Sequence, residues 1–201
     1  MNIAVFASGR GTNFAAIIRA VKKGRIRADL ALLVCDNPKA GAIARAKRAG
    51  IRVALIKREG FAARADFENK IIENLQEDKI DLIVLAGFMR ILGTELISRY
   101  KNKILNIHPA LLPAFKGSHA IKDAFDYGAK ITGVSVHFVD EKMDHGPIIL
   151  QQALKIEEGD SAESLEAKIH KIEHRLYPEA IKLFVEGKLR VEGRKVIISS
   201  P

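Results

Sequence analysis

The sequence predicts an α/β fold: a mostly parallel, Rossmann-like sheet with helices on both faces, mixed towards the C-terminal half, in a single domain over 1–201. Three observations carry this reading. Short apolar runs alternate with helical patterns through the first half, as in strand–helix–strand crossovers. Glycines and prolines fall singly between these segments, as turns do, with no linker or repeat. Beyond residue 130 the apolar runs alternate partly with polar residues and are joined by turns rather than helices.

The elements follow in order. NIAVFA at 2–7 is a buried strand, followed by a helical pattern from Asn13 to Lys23. LALLV at 30–34 leads to Asn37-Pro38, read as a cap and first-turn pair, and an Ala-rich helix ending at Gly50. RVALI at 52–56 precedes an amphipathic stretch near 61–78. DLIVLAG at 81–87 and ILNIH at 104–108 are two further strands. ITGVSVHFV at 131–139 pairs with IILQQALKI at 148–156 across the turn DEKMDHGP. A long helix runs from about Ser161 to Glu186, and Tyr177-Pro178 is expected to disturb it within about one turn. The tail LRVEGRKVIIS, with Glu192-Gly193 at its centre, is a terminal hairpin.

Composition narrows the function classes. With 48% hydrophobic and 28% charged residues, the chain has ordinary globular usage. The 33 Lys and Arg against 24 Asp and Glu give a net charge of +9, which suits an acidic partner. A nucleic-acid partner is not expected: Trp is absent, Tyr numbers 3, and no dense basic run occurs. Cys35 is the single cysteine, so no disulfide forms within the chain, which fits a reducing cytoplasm. The start MNIAVFASG lacks a basic n-region, and IDLIVLAGFM at 80–89 is about half the length needed to span a bilayer. No membrane partner is expected.

Three loops follow predicted strands: SGRGTN, GFMRIL and NIHPALLP. In open α/β sheets, ligands bind at the carboxyl ends of strands. Ser8-Gly9-Arg10-Gly11-Thr12-Asn13 offers backbone N–H groups and a helix N-terminus to an anion. Phe14 stands where a dinucleotide loop would place its third glycine, so a simpler phosphate site or a plain capped turn both fit. Asp36 could hold a ribose, although the following Asn-Pro favours a helix cap. Asn106 and His108 are two apart and share a strand face; an amide can donate to a developing oxyanion and an imidazole can act as acid or base. Either X–Pro bond, before Pro109 or Pro113, could be cis. Asp144 lies in a turn that by itself reads as solvated. His137 and Ser135 share one face of their strand and read as outward polar residues. His170-Lys171-Ile172-Glu173-His174 matches the inverted zincin pattern, a competing metal reading.

Taken together, NIAVFASGRGTNF, AGFMRIL, ILNIHPALLPAFKG, GVSVHFVDEKMDHGPII and HKIEHRLYP resemble the folate-dependent formyltransferases over essentially the whole chain. The resemblance implies the formyltransferase fold and no metal. It implies transfer of a formyl group from 10-formyltetrahydrofolate, as co-substrate, to the glycinamide amine of 5′-phosphoribosylglycinamide in purine synthesis. It makes Asn106, His108 and Asp144 the catalytic trio. Gly11, Thr12 and Asn13 match the family's phosphate loop, and Glu173 and His170 its contacts to the same ribonucleotide. Arg64, Met89, Arg90, Ile91, Leu92, Asn106 and Asp140 match positions around the folate. Ala110 stands where the family usually has Ser, which removes one loop hydroxyl. The positive charge then reads as suited to a phosphate and a folate glutamate tail, with Arg64 and Arg90 nearest that tail.

The implied partners are small molecules, with a monomer or a homodimer both open. Three other classes stand against transfer. A formyltetrahydrofolate hydrolase would release formate without the amine. A zinc peptidase would depend on metal. A phosphate-binding module would bind the ribonucleotide without turnover.

Overall fold

The computed structural model describes residues 1–199; Ser200 and Pro201, the end of the 1–201 domain expected above, lie outside the described residues. The chain forms two compact units, Met1–Leu105 and a second beginning at Asn106.

The first unit is a parallel sheet in the order β3-β2-β1-β4. Its strands are β1 (Asn2–Phe6), β2 (Asp29–Cys35), β3 (Arg52–Leu55) and β4 (Leu82–Leu85). They pair in parallel throughout, with Val5 opposite both Leu33 and Val84. Every side chain of β4 is buried, which is why it reads as a continuous apolar run rather than an alternating one. The crossovers are α1 (Thr12–Lys22), α2 (Gly41–Ala49) and α3 (Arg64–Glu77), and a short α4 (Thr94–Arg99) follows β4. Right-handed connections put α1 and α2 on one face and α3 on the other. The chain steps outward from β1 to β3 and returns beyond β1 to β4. The loops after β1 and β4 therefore flank a switch point, the usual ligand crevice of such sheets.

The net charge belongs to this unit. Residues 10–52 hold eleven Lys and Arg against Asp29 and Asp36, whereas the rest of the chain balances twenty-two against twenty-two. Most of the excess lies at the carboxyl ends of α1 and α2, in Arg19, Lys22, Lys23, Arg25, Arg27, Lys47 and Arg48. Cations there complement the helix dipoles.

β5 (Ile104–His108) begins in the first unit and ends in the second. The second unit continues with α5 (Ala120–Asp126), β6 (Ile131–Phe138), β7 (Ile148–Lys155), α6 (Ala162–Val185), β8 (Leu189–Glu192) and β9 (Lys195–Ile198). β6 and β7 are antiparallel, β9 joins β7 in parallel at Ile148↔Lys195, and β8 and β9 form the terminal hairpin. The sheet is thus mixed towards the C-terminus, as the sequence predicts.

Two expectations need correction. α2 starts at Gly41 with Ala40 as its N-cap, not at Asn37-Pro38. Asn37 instead accepts from the Lys39 N–H and donates to the Ser8 carbonyl, tying two loops together. α6 does not break at Pro178 but continues to Val185. Leu176, Tyr177, Ala180 and Ile181 are buried on either side of the proline, and this packing outweighs the lost backbone bond.

Candidate active site

In the first unit the loop after β1 is built largely from backbone. Gly11 takes φ +69, and a Cβ on it would lie 2.9 Å from Ala42, so α1 and α2 approach as closely as they do only because residue 11 is glycine. Gly11 is also the N-cap of α1, with no side-chain cap and no acidic residue in the first turn. The helix end therefore presents N–H groups and partial positive charge at Thr12 and Asn13. Ser8 ties this loop to the one after β4: its N–H donates to the Gly87 carbonyl at 2.9 Å and its Oγ accepts from the Met89 N–H at 3.0 Å. Met89 and Ile91 are 71% and 64% exposed, while Leu92 is buried. Arg64 donates to Glu68 and to the Ile91 carbonyl, both at 2.8 Å. Arg90 donates to Asp36 at 2.7 Å, so Asp36 caps no helix.

In the second unit the site is built from side chains. Asn106, His108, His137 and Asp144 come together from the end of β5, the end of β6 and the loop before β7. His108 is buried; its Nε2 lies 2.7 Å from the Phe115 carbonyl and its Nδ1 3.4 Å from Asp144 Oδ2. Both neighbours are acceptors, so a ring proton on either nitrogen has one facing it. His137 Nδ1 lies 2.7 Å from the Phe138 carbonyl and must carry a proton, which leaves Nε2 to accept from the Asn106 amide at 3.1 Å. The Asn106 amide has a second, longer contact of 3.4 Å to Asp144 Oδ1. The Gly117 N–H donates to Asp144 Oδ2 at 2.8 Å. Burial pushes the Asp144 carboxyl up. The neighbouring His137 ring, 3.7 Å away, the Gly117 N–H and His108 outweigh that and hold it below the usual carboxylate range. Phe115 and Asp144 adopt φ +48 and +47, unusual for residues with a side chain, and both border this cluster.

A third group lies on α6. His170 Nδ1 meets Glu173 at 2.8 Å and its Nε2 meets Glu166 at 3.0 Å. The Glu173 bond raises the His170 pKa above its ordinary value; burial opposes this, and Glu166 adds to it. Glu173 is buried while His170 is partly open.

The family described as formyl transferase matches residues 1–181. The chain belongs to this family. It is 49% identical to phosphoribosylglycinamide formyltransferase of Bacillus subtilis (strain 168) over 179 residues, 89% of this chain and 92% of the relative. It is 39% identical, over 95% of its length, to the Gallus gallus trifunctional purine biosynthetic protein adenosine-3, of which it spans 19%. Among solved structures, glycinamide ribonucleotide transformylase 1 from Symbiobacterium toebii superposes with a TM-score of 0.97 at 43% identity, covering 100% of this chain and 94% of the other. A formyltetrahydrofolate deformylase from Pseudomonas syringae shares the fold, with a TM-score of 0.93 at 21% identity.

Within this formyl transferase the predicted residues fall into distinct groups. Asn106, His108 and Asp144 meet in one cluster, and His170 and Glu173 meet on α6. Arg64 reaches the Ile91 backbone, whereas Arg90 turns to Asp36 and lies 3.7 Å from Glu59. Asp140 bonds to His145. His137 and Ser135 are not outward polar residues: they are 2% and 0% exposed. Ser135 Oγ donates to the Ala110 carbonyl at 2.7 Å and accepts from the Leu112 N–H at 3.0 Å, while Gln151 donates to it at 2.8 Å. Ser135 thus ties the backbone of this loop to β6, and the Leu112–Pro113 bond within the loop is cis. The signal for His137 was its two-residue offset from Ser135 in an otherwise apolar strand, where polar residues require partners if they face inward.

Proposed function

We propose that this chain transfers the formyl group of 10-formyltetrahydrofolate to the glycinamide amine of 5′-phosphoribosylglycinamide; its Bacillus subtilis relative is named a phosphoribosylglycinamide formyltransferase. We read residues 1–201 as one formyltransferase domain working on small molecules in the cytoplasm. The observation that carries the chemistry is the convergence of Asn106, His108 and Asp144 on one half-buried polar cluster.

The folate co-substrate supplies the formyl carbon. As the amine attacks, charge grows on the formyl oxygen, and that oxygen needs donors already in place. Asn106 offers the N–H that has only the long contact to Asp144. His108 offers the proton now given to the Phe115 carbonyl. Asp144, held ionised, faces Nδ1 of the His108 ring and accepts from the Gly117 N–H. His137 fixes the amide of Asn106 so that its nitrogen, and not its oxygen, faces the cluster. A proton must leave the amine and reach the departing nitrogen of the folate. Asp144 or a water beside it is suited to carry it.

The remaining roles are assigned residue by residue. Gly11, Thr12 and Asn13 receive the phosphate at the start of α1, and Glu173 with His170 contacts the rest of the ribonucleotide. Arg64, Met89, Arg90, Ile91, Leu92 and Asp140 surround the folate, which Asn106 also touches. The test is a spectrophotometric assay of deformylated folate, with the ribonucleotide added or omitted. Product only with the ribonucleotide is expected. Product without it makes the chain a hydrolase, and no product in either arm overturns the catalytic reading.

A further inference from the structure

The connection between β6 and β7, residues 139–147, carries Asp144 in its left-handed conformation. At one end Gly146 allows a close turn: a Cβ there would lie 1.8 Å from the Phe138 carbonyl oxygen. Asp140 closes the loop from inside. Its Oδ1 accepts from the Lys142 N–H at 3.0 Å and its Oδ2 lies 2.7 Å from His145 Nδ1. Residues 141–143 are exposed and do not anchor the loop in the core.

A second hold comes from the terminal hairpin. Arg194 stands in the turn between β8 and β9, next to Lys195, whose partner in β7 is Ile148. That register brings Arg194 to the loop. Its guanidinium NH1 lies 3.2 Å from Nδ1 and 3.4 Å from Nε2 of His145. Nδ1 gives its proton to Asp140, because a carboxylate only accepts. NH1 is nearly equidistant from both ring nitrogens, so the guanidinium lies against the His145 ring while Nδ1 holds Asp140. A cation, an imidazole and a carboxylate thus connect the hairpin to the loop by successive contacts.

We propose that Arg194 is a positioning residue for formyl transfer: through His145 and Asp140 it sets the loop that places Asp144 against His108. The inference rests on the formyl-transfer reading above. It concerns a residue outside the stretch 1–181 matched to the family. Exposed polar contacts contribute little to global stability. Catalytic geometry is more demanding, since a displacement of about 1 Å by a distant change costs up to about 10²-fold. The signature of Arg194 is therefore lost turnover without lost stability.

The test compares wild type with Arg194→Ala and Arg194→Lys. Arg194→Ala is expected to lower kcat about tenfold, with KM for the ribonucleotide and the melting temperature near wild type. Arg194→Lys, which keeps a charged donor, is expected to recover most of kcat. Nitrogen-15 NMR of the His145 ring supplies a readout independent of activity: its ring nitrogen resonances shift in Arg194→Ala and stay near wild type in Arg194→Lys. An unchanged ring signal in Arg194→Ala overturns the inference, as does unchanged kcat. A fall in kcat matched by unfolding also overturns it. Absence of transfer by wild type is a failure of the parent reading, and the ring signal still reads the Arg194 contact by itself.

Discussion

The loop after β1 and the cluster at the end of β5 are two solutions to placing polar groups. The first uses backbone: a glycine in a left-handed conformation, a helix end without a side-chain cap, and a close approach of two helices. The second uses side chains from three separate segments, each fixed by another side chain or by a backbone group. A backbone site tolerates changes in the side chains around it but not a Cβ where glycine is required. A side-chain site fails when any one member is removed, because the partner left behind is buried and unpaired.

The largest effect should come from the side-chain site. Asn106→Ala and His108→Ala each remove one donor and should lower kcat about 10²–10³-fold, with binding of the ribonucleotide retained. Asp144→Asn should fall in the same range. Steady-state kinetics and calorimetric titration of the ribonucleotide decide this; near-normal kcat in all three variants would remove the cluster from the mechanism.

The backbone site is broken by Gly11→Ala. The strain of a left-handed alanine and the 2.9 Å approach to Ala42 should together destabilise the fold by about 2 kcal/mol or more. KM for the ribonucleotide should rise further than kcat falls. Thr12→Ala should do far less, since the helix end acts through N–H groups. Equal effects from the two variants would contradict a backbone-built site.

Ser135→Ala sharpens the comparison from beneath. It leaves the Ala110 carbonyl, the Leu112 N–H and Gln151 short of a partner, which should cost about 1–3 kcal/mol in denaturant unfolding.

The smallest effect concerns pH. His170 has a raised pKa, chiefly through Glu173. Its contribution to stability is complete below the ordinary value of 6.5 and is lost as pH rises through the higher folded value. The difference in melting temperature between wild type and Glu173→Gln should therefore narrow from pH 6 to pH 9. A gap that widens would show that the pair does not titrate as described.

The strands were legible because each carries enough apolar residues to announce burial; Ile104–His108 is the strand ILNIH without adjustment. The short helices α4 and α5, of six and seven residues, were not, since neither fills the window over which helical periodicity is read. Of the site, Asn106 and His108 were visible by their offset within one strand. Asp144 came only through family resemblance, because a turn rich in Asp and Glu looks solvated until His108, His137 and Gly117 are brought to it. His137 was misjudged because one strand shows which residues share a face, but not which face its neighbours will cover.

The position of the positive charge bears on how ionic strength acts. An eleven-residue helix is about 16 Å long. The cations at the carboxyl end of α1 therefore stand well beyond the screening length of about 8 Å at physiological salt, measured from Gly11. They govern how this unit meets an ion-exchange resin or an anionic surface, and contribute little to capturing a phosphate at the other end of the same helix. Any salt dependence of KM should thus follow Arg10, in the loop itself, and Arg64 and Arg90, and charge reversal at Lys22, Lys23, Arg25 and Arg27 should change chromatographic retention while leaving KM near its wild-type value.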